Sequence, residues 1–388
     1  AGIVVPVAEC AQVRVGKLRR EGEASVVFLG KFNVYAEVPS RYKPRVATQL
    51  RPQSHSRISS TESESSMPSR YLVIVLMLVA LHGAAICGEP TANQIVPADF
   101  PPFDGERAFR VLNDLCLLGP RPSGSVAMAR QRRWLTQYFT QLGATVVRQP
   151  FVARHPETGQ RVTLCNLIIQ WHPEQRERLL LCAHYDTRPY PDRDPKINHR
   201  RGTFLGANDG ASGVAVLCEL GRSMPSLSGA VGVDFVLFDA EEFVFDDRRD
   251  DYFLGSQFFA RRYATADDGV RYHSAVLLDM VGDADLQIYQ ERYSVQYASP
   301  IVRSIWEVAH ELGRHEFVAR VRHRLRDDHV PLIEIAGIPT CCIVDFDYPN
   351  TSSKASFWHT REDTPDKCSA ESLAAVGQVV LAWLRQQR

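Results

Sequence analysis

Short, almost wholly apolar segments that end in polar side chains are the feature that most constrains the fold of this 388-residue chain. Segments 178–184, 233–239 and 274–280 each have the length of one strand, and they carry His184, Asp239 and Asp279 at or near their ends. Continuous apolar runs of this length are typical of strands that a parallel sheet buries on both faces. Because segments with helical spacing separate them, we predict a single α/β domain with a mostly parallel, mixed central sheet and helices on both faces.

The spacing of apolar residues also predicts where the elements lie. We expect helices at 106–118, 126–142, 209–223, 254–263, around 299–312, and at 370–386. We expect strands at 145–152, 162–171, 178–184, 233–239, 274–280 and 339–344.

The segment before Met67 differs in character from the rest of the chain. Residues 51–66 are polar and typical of disorder, whereas residues 67–88 have the basic start, apolar run and small-residue end of a secretory signal. We therefore predict that residues 1–66 are a non-native or disordered extension, that 67–88 form a signal peptide or N-terminal anchor, and that 89–388 form the α/β domain. Export to the periplasm or the medium follows, with retention by an uncleaved anchor as the alternative.

Charge and cysteine usage exclude several classes of function. Lys plus Arg and Asp plus Glu each total 45, so the chain lacks the excess of positive charge that would indicate binding to nucleic acid. We expect a monomer that binds small or peptidic ligands. Nine cysteines occur without a Cys-x-x-Cys pair. Seven of them follow residue 88, an odd number that predicts at least one free or intermolecular thiol, and several lie in apolar stretches typical of buried thiols.

Polar residues that follow the predicted strands form the candidate site. In an open α/β sheet, ligands bind beyond the carboxyl ends of the strands, which is where His184, Glu241, Glu242 and Asp279 fall. Asp209 opens the helix that follows FLGAN, and its glycine-rich surroundings permit close approach of the backbone to a ligand. The alternative for Asp209 is an ordinary helix N-cap.

An aspartate, a glutamate and a histidine together predict an open catalytic zinc site. Asp209, Glu242 and His359 supply these three ligand types and leave a fourth position for water or substrate. Glu241 would remain as a proton shuttle, although adjacent acids are more often a solvated surface pair. His184 with Asp186 is a further possible ligand pair, and the acid-rich segment 246–251 is predicted to be a solvated loop without a catalytic role.

Several stretches of the chain resemble glutaminyl-peptide cyclotransferases, within the wider zinc aminopeptidase clan. The similarity covers roughly residues 105–386 and rests on CAHYDTRP, FLGANDGASG, VLFDAEE, LLDMVG, DDHVPL with GIPT, and FWHTREDT. The most specific signals are Asp327 in the acidic pair of DDHVPL and Trp358 in the Trp-His-Thr stretch, since the aminopeptidases usually carry Ser-Asp-His and Tyr-His-Thr there.

The resemblance implies a role for each matching residue. Asp209, Glu242 and His359 would bind one zinc ion per chain, Glu241 would move the proton, and Asp279 and Asp327 would belong to a supporting acidic network. Trp358 would wall the pocket for the substrate's glutamine side chain. The implied reaction converts an N-terminal glutaminyl residue of a peptide or protein to pyroglutamate, with loss of ammonia.

The chain also departs from the animal members of this family. Their tryptophan shortly after the Glu-Glu pair has no counterpart in segment 243–247 (FVFDD), and Ala183 and Val214 occupy the places of their disulfide. A longer loop precedes Trp358, and we predict that Tyr348 in this loop contributes to substrate binding.

Two other functions compete with cyclisation. A co-catalytic aminopeptidase of the same fold would bind two zinc ions, with His184 and Asp279 as additional ligands and Asp209 bridging. A non-catalytic binding or scaffold domain would typically have lost ligands, and none is missing here. Metal stoichiometry distinguishes the two enzymes.

Overall fold

A six-stranded mixed sheet forms the centre of the computed structural model, which describes residues 102–227, 231–347 and 356–387. Its strands are β1 Thr145–Arg154, β2 Arg161–Trp171, β3 Glu177–His184, β4 Gly232–Phe238, β5 Arg271–Asp279 and β8 Thr340–Val344. Along the sheet the order is β1-β2-β4-β3-β5-β8. The pairs β1/β2 and β2/β4 are antiparallel, whereas β4/β3, β3/β5 and β5/β8 are parallel.

The described residues also form seven α-helices and a second, two-stranded sheet. The helices are α1 Gly105–Leu117, α2 Val126–Gln141, α3 Ser212–Gly221, α4 Leu254–Ala264, α5 Arg292–Glu311, α6 His329–Glu334 and α7 Ala370–Gln386. The small parallel sheet consists of β6 Ile288–Glu291 and β7 Phe317–Arg322. The predicted α/β fold with a mostly parallel mixed sheet is confirmed, while the boundaries predicted before residue 89 lie outside the described residues.

Both faces of the central sheet are covered, as the unbroken apolar strands predict. Along β3, Leu179 and Leu181 belong to one apolar core, and Leu180 and Cys182 belong to another on the opposite face. Successive side chains of a strand point to opposite faces, so a strand without polar alternation needs a covering layer on each side.

Two predicted helices differ from the observed ones for local reasons. The helix predicted around 299–312 begins earlier, at Arg292, and continues through Pro300 with a kink at Ala298, whose φ of −136° is non-helical. Proline lacks the N–H that an unbroken helix would use, which accounts for the kink. The helix predicted from residue 209 begins at Ser212, after a separate turn.

All seven cysteines in the described part of the chain are buried and free. This agrees with the prediction of buried thiols and of a missing disulfide near Ala183 and Val214. Separately, no helix among the described residues combines the length and the apolar character that crossing a membrane requires.

A buried ion pair joins the starts of strands β3 and β4. Arg178 and Asp234 are 1% and 0% exposed. The guanidinium of Arg178 donates from Nε to Oδ2 of Asp234 at 3.0 Å and from Nη2 to Oδ1 at 2.5 Å. It also donates to backbone carbonyls at the end of β2, including Trp171 O at 2.9 Å. The pair thereby ties β2, β3 and β4 together at the end of the sheet opposite to the carboxyl ends of β3 and β4.

We expect Arg178→Ala to lower the free energy of unfolding by about 3–5 kcal/mol, because the variant leaves the Asp234 carboxylate buried without its partner. Urea denaturation followed by circular dichroism measures the change. The matched control is Arg176→Ala, an exposed position two residues away, which should change stability by less than about 0.5 kcal/mol. Equal losses in the two variants would contradict a special role for the buried pair.

Candidate active site and metal centre

Asp209 lies in a π-helical turn, Ala207–Ala211, at the carboxyl edge of the sheet. Its φ and ψ of −87° and 97° are non-helical, and the N-cap of α3 is Ala211, without a side-chain cap bond. The N-cap interpretation is therefore wrong, and the carboxylate instead faces two histidines.

Glycine at position 210 allows this turn to press against the end of β3. Gly210 has a φ of +101°, and a Cβ built on it would lie 2.6 Å from the carbonyl oxygen of Asp186 and 3.1 Å from Cε1 of His184. Any other residue would push the turn away. Close approach of the backbone, which the glycine-rich sequence predicts, occurs here.

The Glu241–Glu242 pair is held by the carboxylate of Asp186. The backbone N–H groups of Glu241 and Glu242 donate to Oδ1 and Oδ2 of Asp186, both at 3.2 Å. The two glutamates are only 8% and 2% exposed, so they are not a solvated surface pair. Asp186 is placed as a backbone acceptor beneath them.

Three residues at this edge adopt left-handed backbone conformations that non-glycine residues rarely occupy. They are Ala240, Met280 and His359, with φ of 63°, 49° and 53°. Each adjoins or is itself a candidate site residue, and such conformations cost about 1–3 kcal/mol each and concentrate at functional sites. The backbone leaves regular structure here in order to direct the side chains inward.

The three predicted ligands converge. Nε2 of His359 lies 2.9 Å from Oε1 of Glu242 and 3.3 Å from Oδ2 of Asp209. One donor atom from each of the three lies within 4.8 Å of the others, and all three residues are buried. Two carboxylate oxygens and one imidazole nitrogen, brought together away from solvent, fit a small divalent cation of the type that accepts mixed oxygen and nitrogen ligands.

A second group of donors shares Asp209 with the first. Nε2 of His184 lies 3.3 Å from Oδ1 of Asp209 and 3.1 Å from Oδ1 of Asp279. Asp209 therefore directs one carboxylate oxygen to each histidine, which is the arrangement of a bridging ligand. The geometry accommodates one ion or two.

Burial acts unequally on the acids of this site. Burial raises the pKa of Glu241, opposed by His184 and reinforced by the nearby charges of Glu242 and Asp327. It also raises the pKa of Asp279 to about 7. Burial would likewise raise the pKa of Asp209, but hydrogen bonds with His184 and His359 lower it below its usual value. One acid is thus held ionised between two histidines, while its neighbours favour a proton.

Asp327 and Trp358, which carry the more specific part of the resemblance, both reach this region. Asp327 is 5% exposed, and its charge contributes to the raised pKa values of Glu241 and Asp279. The ring of Trp358 lies 4.1 Å from that of the adjacent His359 and 5.1 Å from that of Phe346, centroid to centroid. Tyr348 lies outside the described residues.

Comparison with known proteins places these residues in a family. The family model described as Peptidase family M28 matches residues 166–384, more than half of the chain. The chain belongs to this family. A crystal structure of Fimbriiglobus ruber glutaminyl cyclase superposes with a TM-score of 0.70 and 39% identity, over 74% of this chain and 97% of that one. A Zn-dependent exopeptidase from Parabacteroides distasonis gives a TM-score of 0.68 and 32% identity, over 74% and 99%.

A curated relative gives the same family likeness at lower identity. The glutaminyl-peptide cyclotransferase of Gloydius blomhoffii is 26% identical over 300 residues, which are 68% of this chain and 77% of the relative. The proteins similar to this M28 chain therefore include some named as cyclases and others named as exopeptidases.

Asp363 lies at this candidate site, although the sequence patterns predicted no role of its own for it. Its carboxylate accepts hydrogen bonds from the backbone N–H of Asn208 at 2.7 Å and of Asp209 at 3.1 Å. Burial and the nearby Asp209 raise the pKa of Asp363 to about 8. The sequence shows that it belongs to the stretch FWHTREDT, but it does not reveal the role, because the two backbone partners lie more than 150 residues away.

The acid-rich segment 246–251 is not wholly solvated, which corrects the sequence prediction. Asp247 turns inward, and its side chain is 22% exposed and in contact with the buried Arg188. The composition of six consecutive charged residues does not reveal the inward position of Asp247. The position depends on the attraction of its carboxylate to Arg188, which lies almost 60 residues earlier in the chain.

We expect Asp209→Asn and His359→Ala each to lower the metal content of the purified protein by more than about tenfold. Loss of an outer-shell partner already costs roughly 10–100-fold in metal affinity, and a direct ligand contributes at least as much. Inductively coupled plasma mass spectrometry gives the metal per chain. The control, His273→Ala, removes an exposed histidine far from these donors in sequence. Unchanged metal content in the two site variants would place the ion elsewhere.

Proposed function

We propose that this M28 protein is a zinc-dependent glutaminyl cyclase. It would convert the N-terminal glutamine of peptides or proteins to pyroglutamate, releasing ammonia. The observation that carries the proposal is the buried Asp209–Glu242–His359 group with the ring of Trp358 against His359 and with the buried Asp327, whose charge acts on Glu241. The similarity to Fimbriiglobus ruber glutaminyl cyclase supports it.

Asp209, Glu242 and His359 would hold the zinc ion, one per chain. A zinc ion bound there supplies Lewis-acid polarisation of the γ-carboxamide carbonyl of the substrate. Asp186 and Asp363 would keep the ligand-bearing backbone in place through their bonds to N–H groups.

Glu241 would transfer the proton from the α-amine of the substrate to the leaving nitrogen. The α-amine nitrogen of the substrate attacks its own γ-carbonyl carbon, a new C–N bond closes the five-membered ring, and the carboxamide C–N bond breaks. Glu241 would take the proton from the attacking amine and deliver it to the departing nitrogen, so that ammonia leaves. Its buried position suits a carboxyl group that must both accept and release a proton.

Asp279 and Asp327 would support this transfer as buried acids near Glu241, and Trp358 would form an apolar wall for the glutamine side chain. No water molecule is consumed in the reaction, so a site whose acids are almost wholly buried suits cyclisation better than hydrolysis.

A two-zinc aminopeptidase is the second candidate. It is supported by the position of Asp209 between His184 and His359 and by the similarity to the Parabacteroides distasonis exopeptidase. If this chain is such an aminopeptidase, its own His184 and Asp279 would complete the second metal site.

We also propose that the protein acts on peptide substrates after export, secreted or periplasmic, and as a monomer. The signal-like residues 67–88 support export, and the family likeness supports peptide substrates; the monomeric state stays a prediction.

We expect the purified protein to release ammonia from a glutaminyl dipeptide without releasing p-nitroaniline from leucine p-nitroanilide, and to contain about one zinc per chain. Glu241→Gln should retain zinc and lower kcat by roughly 10²–10⁴-fold, because it removes the proton acceptor. Ammonia release coupled to glutamate dehydrogenase, with zinc measured by mass spectrometry, provides both readouts.

The control for this variant is Glu311→Gln, which removes an exposed glutamate at the end of α5 and should leave both readouts unchanged. Release of p-nitroaniline together with two zinc ions per chain would instead identify an aminopeptidase. Full ammonia release by Glu241→Gln would refute the role of Glu241.

A further inference from the structure

Arg188 is a buried cation that the mechanism above does not use. It follows β3 in the stretch CAHYDTRP, and it is 1% exposed. An arginine remains charged in proteins, so its burial demands compensating acceptors. Three acids contact it, Asp192 in the turn that follows it and Glu242 and Asp247 in the connection after β4.

The first acceptor is the proposed zinc ligand Glu242. The backbone N–H of Arg188 donates to Oε2 of Glu242 at 2.9 Å, and Nη1 approaches Oε1 at 3.4 Å. Oε1 is also the atom that lies 2.9 Å from Nε2 of His359. Arg188 thus contacts both oxygens of a carboxylate whose orientation decides whether it can bind the ion.

The second acceptor is Asp192, which leads to another proposed ligand. Nε and Nη2 of Arg188 donate to Oδ1 and Oδ2 of Asp192, each at 2.8 Å, in the paired geometry that only a guanidinium provides. Oδ1 of Asp192 lies 3.6 Å from Nδ1 of His359, which is beyond hydrogen-bond distance, and this buried ring nitrogen has no other hydrogen-bond partner among the described residues. Arg188 therefore holds a carboxylate beside the outer nitrogen of the proposed metal-binding imidazole, where a proton on Nδ1 would favour its charge.

The third set of contacts belongs to the segment after the Glu-Glu pair. Nη2 of Arg188 contacts the carboxylate of Asp247 and lies 3.3 Å from the hydroxyl of Tyr252. That hydroxyl in turn donates to Asp247 at 2.6 Å. The acid-rich segment is therefore tied to the same guanidinium that contacts Glu242.

We propose that Arg188 is a positioning residue for the metal centre. It orients the carboxylate of Glu242 directly and holds the carboxylate of Asp192 beside the ring of His359, while Asp247 with Tyr252 fixes the guanidinium itself. The inference rests on the metal site of the proposed function. It goes further, because it assigns Arg188, Asp192 and Asp247 a role that the function alone does not require.

The geometry also distinguishes arginine from lysine at this position. A lysine would keep one positive charge but could not donate in parallel to both oxygens of Asp192 while reaching Glu242 and Asp247. The backbone N–H of residue 188 would still donate to Glu242. We therefore expect a partial loss of metal affinity in Arg188→Lys, smaller than the loss expected for Asp209→Asn.

The test measures the zinc dissociation constant of the full chain by competition with a chromophoric chelator. Arg188→Lys should raise this Kd by roughly 10–100-fold, and Asp247→Asn should raise it by a smaller factor in the same direction. The control is Asp246→Asn, which changes the exposed neighbour of Asp247 and should leave Kd unchanged. Melting temperatures of the metal-free proteins separate positioning from general destabilisation.

A raised Kd in Arg188→Lys and Asp247→Asn, with metal-free melting temperatures close to that of the wild type, supports the proposal. Wild-type zinc affinity in both variants overturns it, and so does a rise in Kd that only accompanies a lower melting temperature. Failure of the proposed function would look different, because the wild type would then release no ammonia from the glutaminyl dipeptide, whatever the zinc affinity of the Arg188 and Asp247 variants.

Discussion

The parallel register of β3, β4, β5 and β8 is the constraint on which the rest of this structure depends. His184 pairs with Phe238, and Asp279 pairs with Val344, so the carboxyl ends of four strands coincide at one edge. Every candidate ligand is on one of these ends, on the connection that follows it, or on a turn pressed against it. Because the strands are buried on both faces, slippage by one residue would exchange the two apolar cores, and the register is fixed by packing.

Two acids outside the proposed ligand set, Asp186 and Asp363, shape the candidate centre. Asp186 accepts the N–H groups of the two adjacent glutamates, and Asp363 accepts those of Asn208 and Asp209. Each carboxylate thereby fixes a bend that no regular element could hold. Satisfied acceptors of this kind also explain how so many acids remain in a buried region, since a buried carboxylate without donors is costly.

The amino-acid sequence predicts those features that local patterns determine. The buried strands, the long helices and the ends carrying Glu241, Glu242 and Asp279 all follow from apolar runs of characteristic length. The strands β6 and β7 do not, because β7 is largely exposed and rich in arginine. Roles that depend on distant partners are equally hidden, as with Asp363 and Arg188, whose bonds join residues more than 50 positions apart. Nothing in the spacing of the ligands decides between one ion and two, since Asp209 faces both histidines.

The seven buried thiols determine how this protein would behave once it unfolds. Burial raises the pKa of each of them, for example that of Cys116 to about 11, so the reactive thiolate is scarce in the native state. Unfolding in an oxidising medium would release all seven at once, with no native pairing to guide their oxidation. Random cross-links would then trap the unfolded chain. The durability of the enzyme outside a reducing environment is therefore a matter of how slowly it opens, rather than of its equilibrium stability.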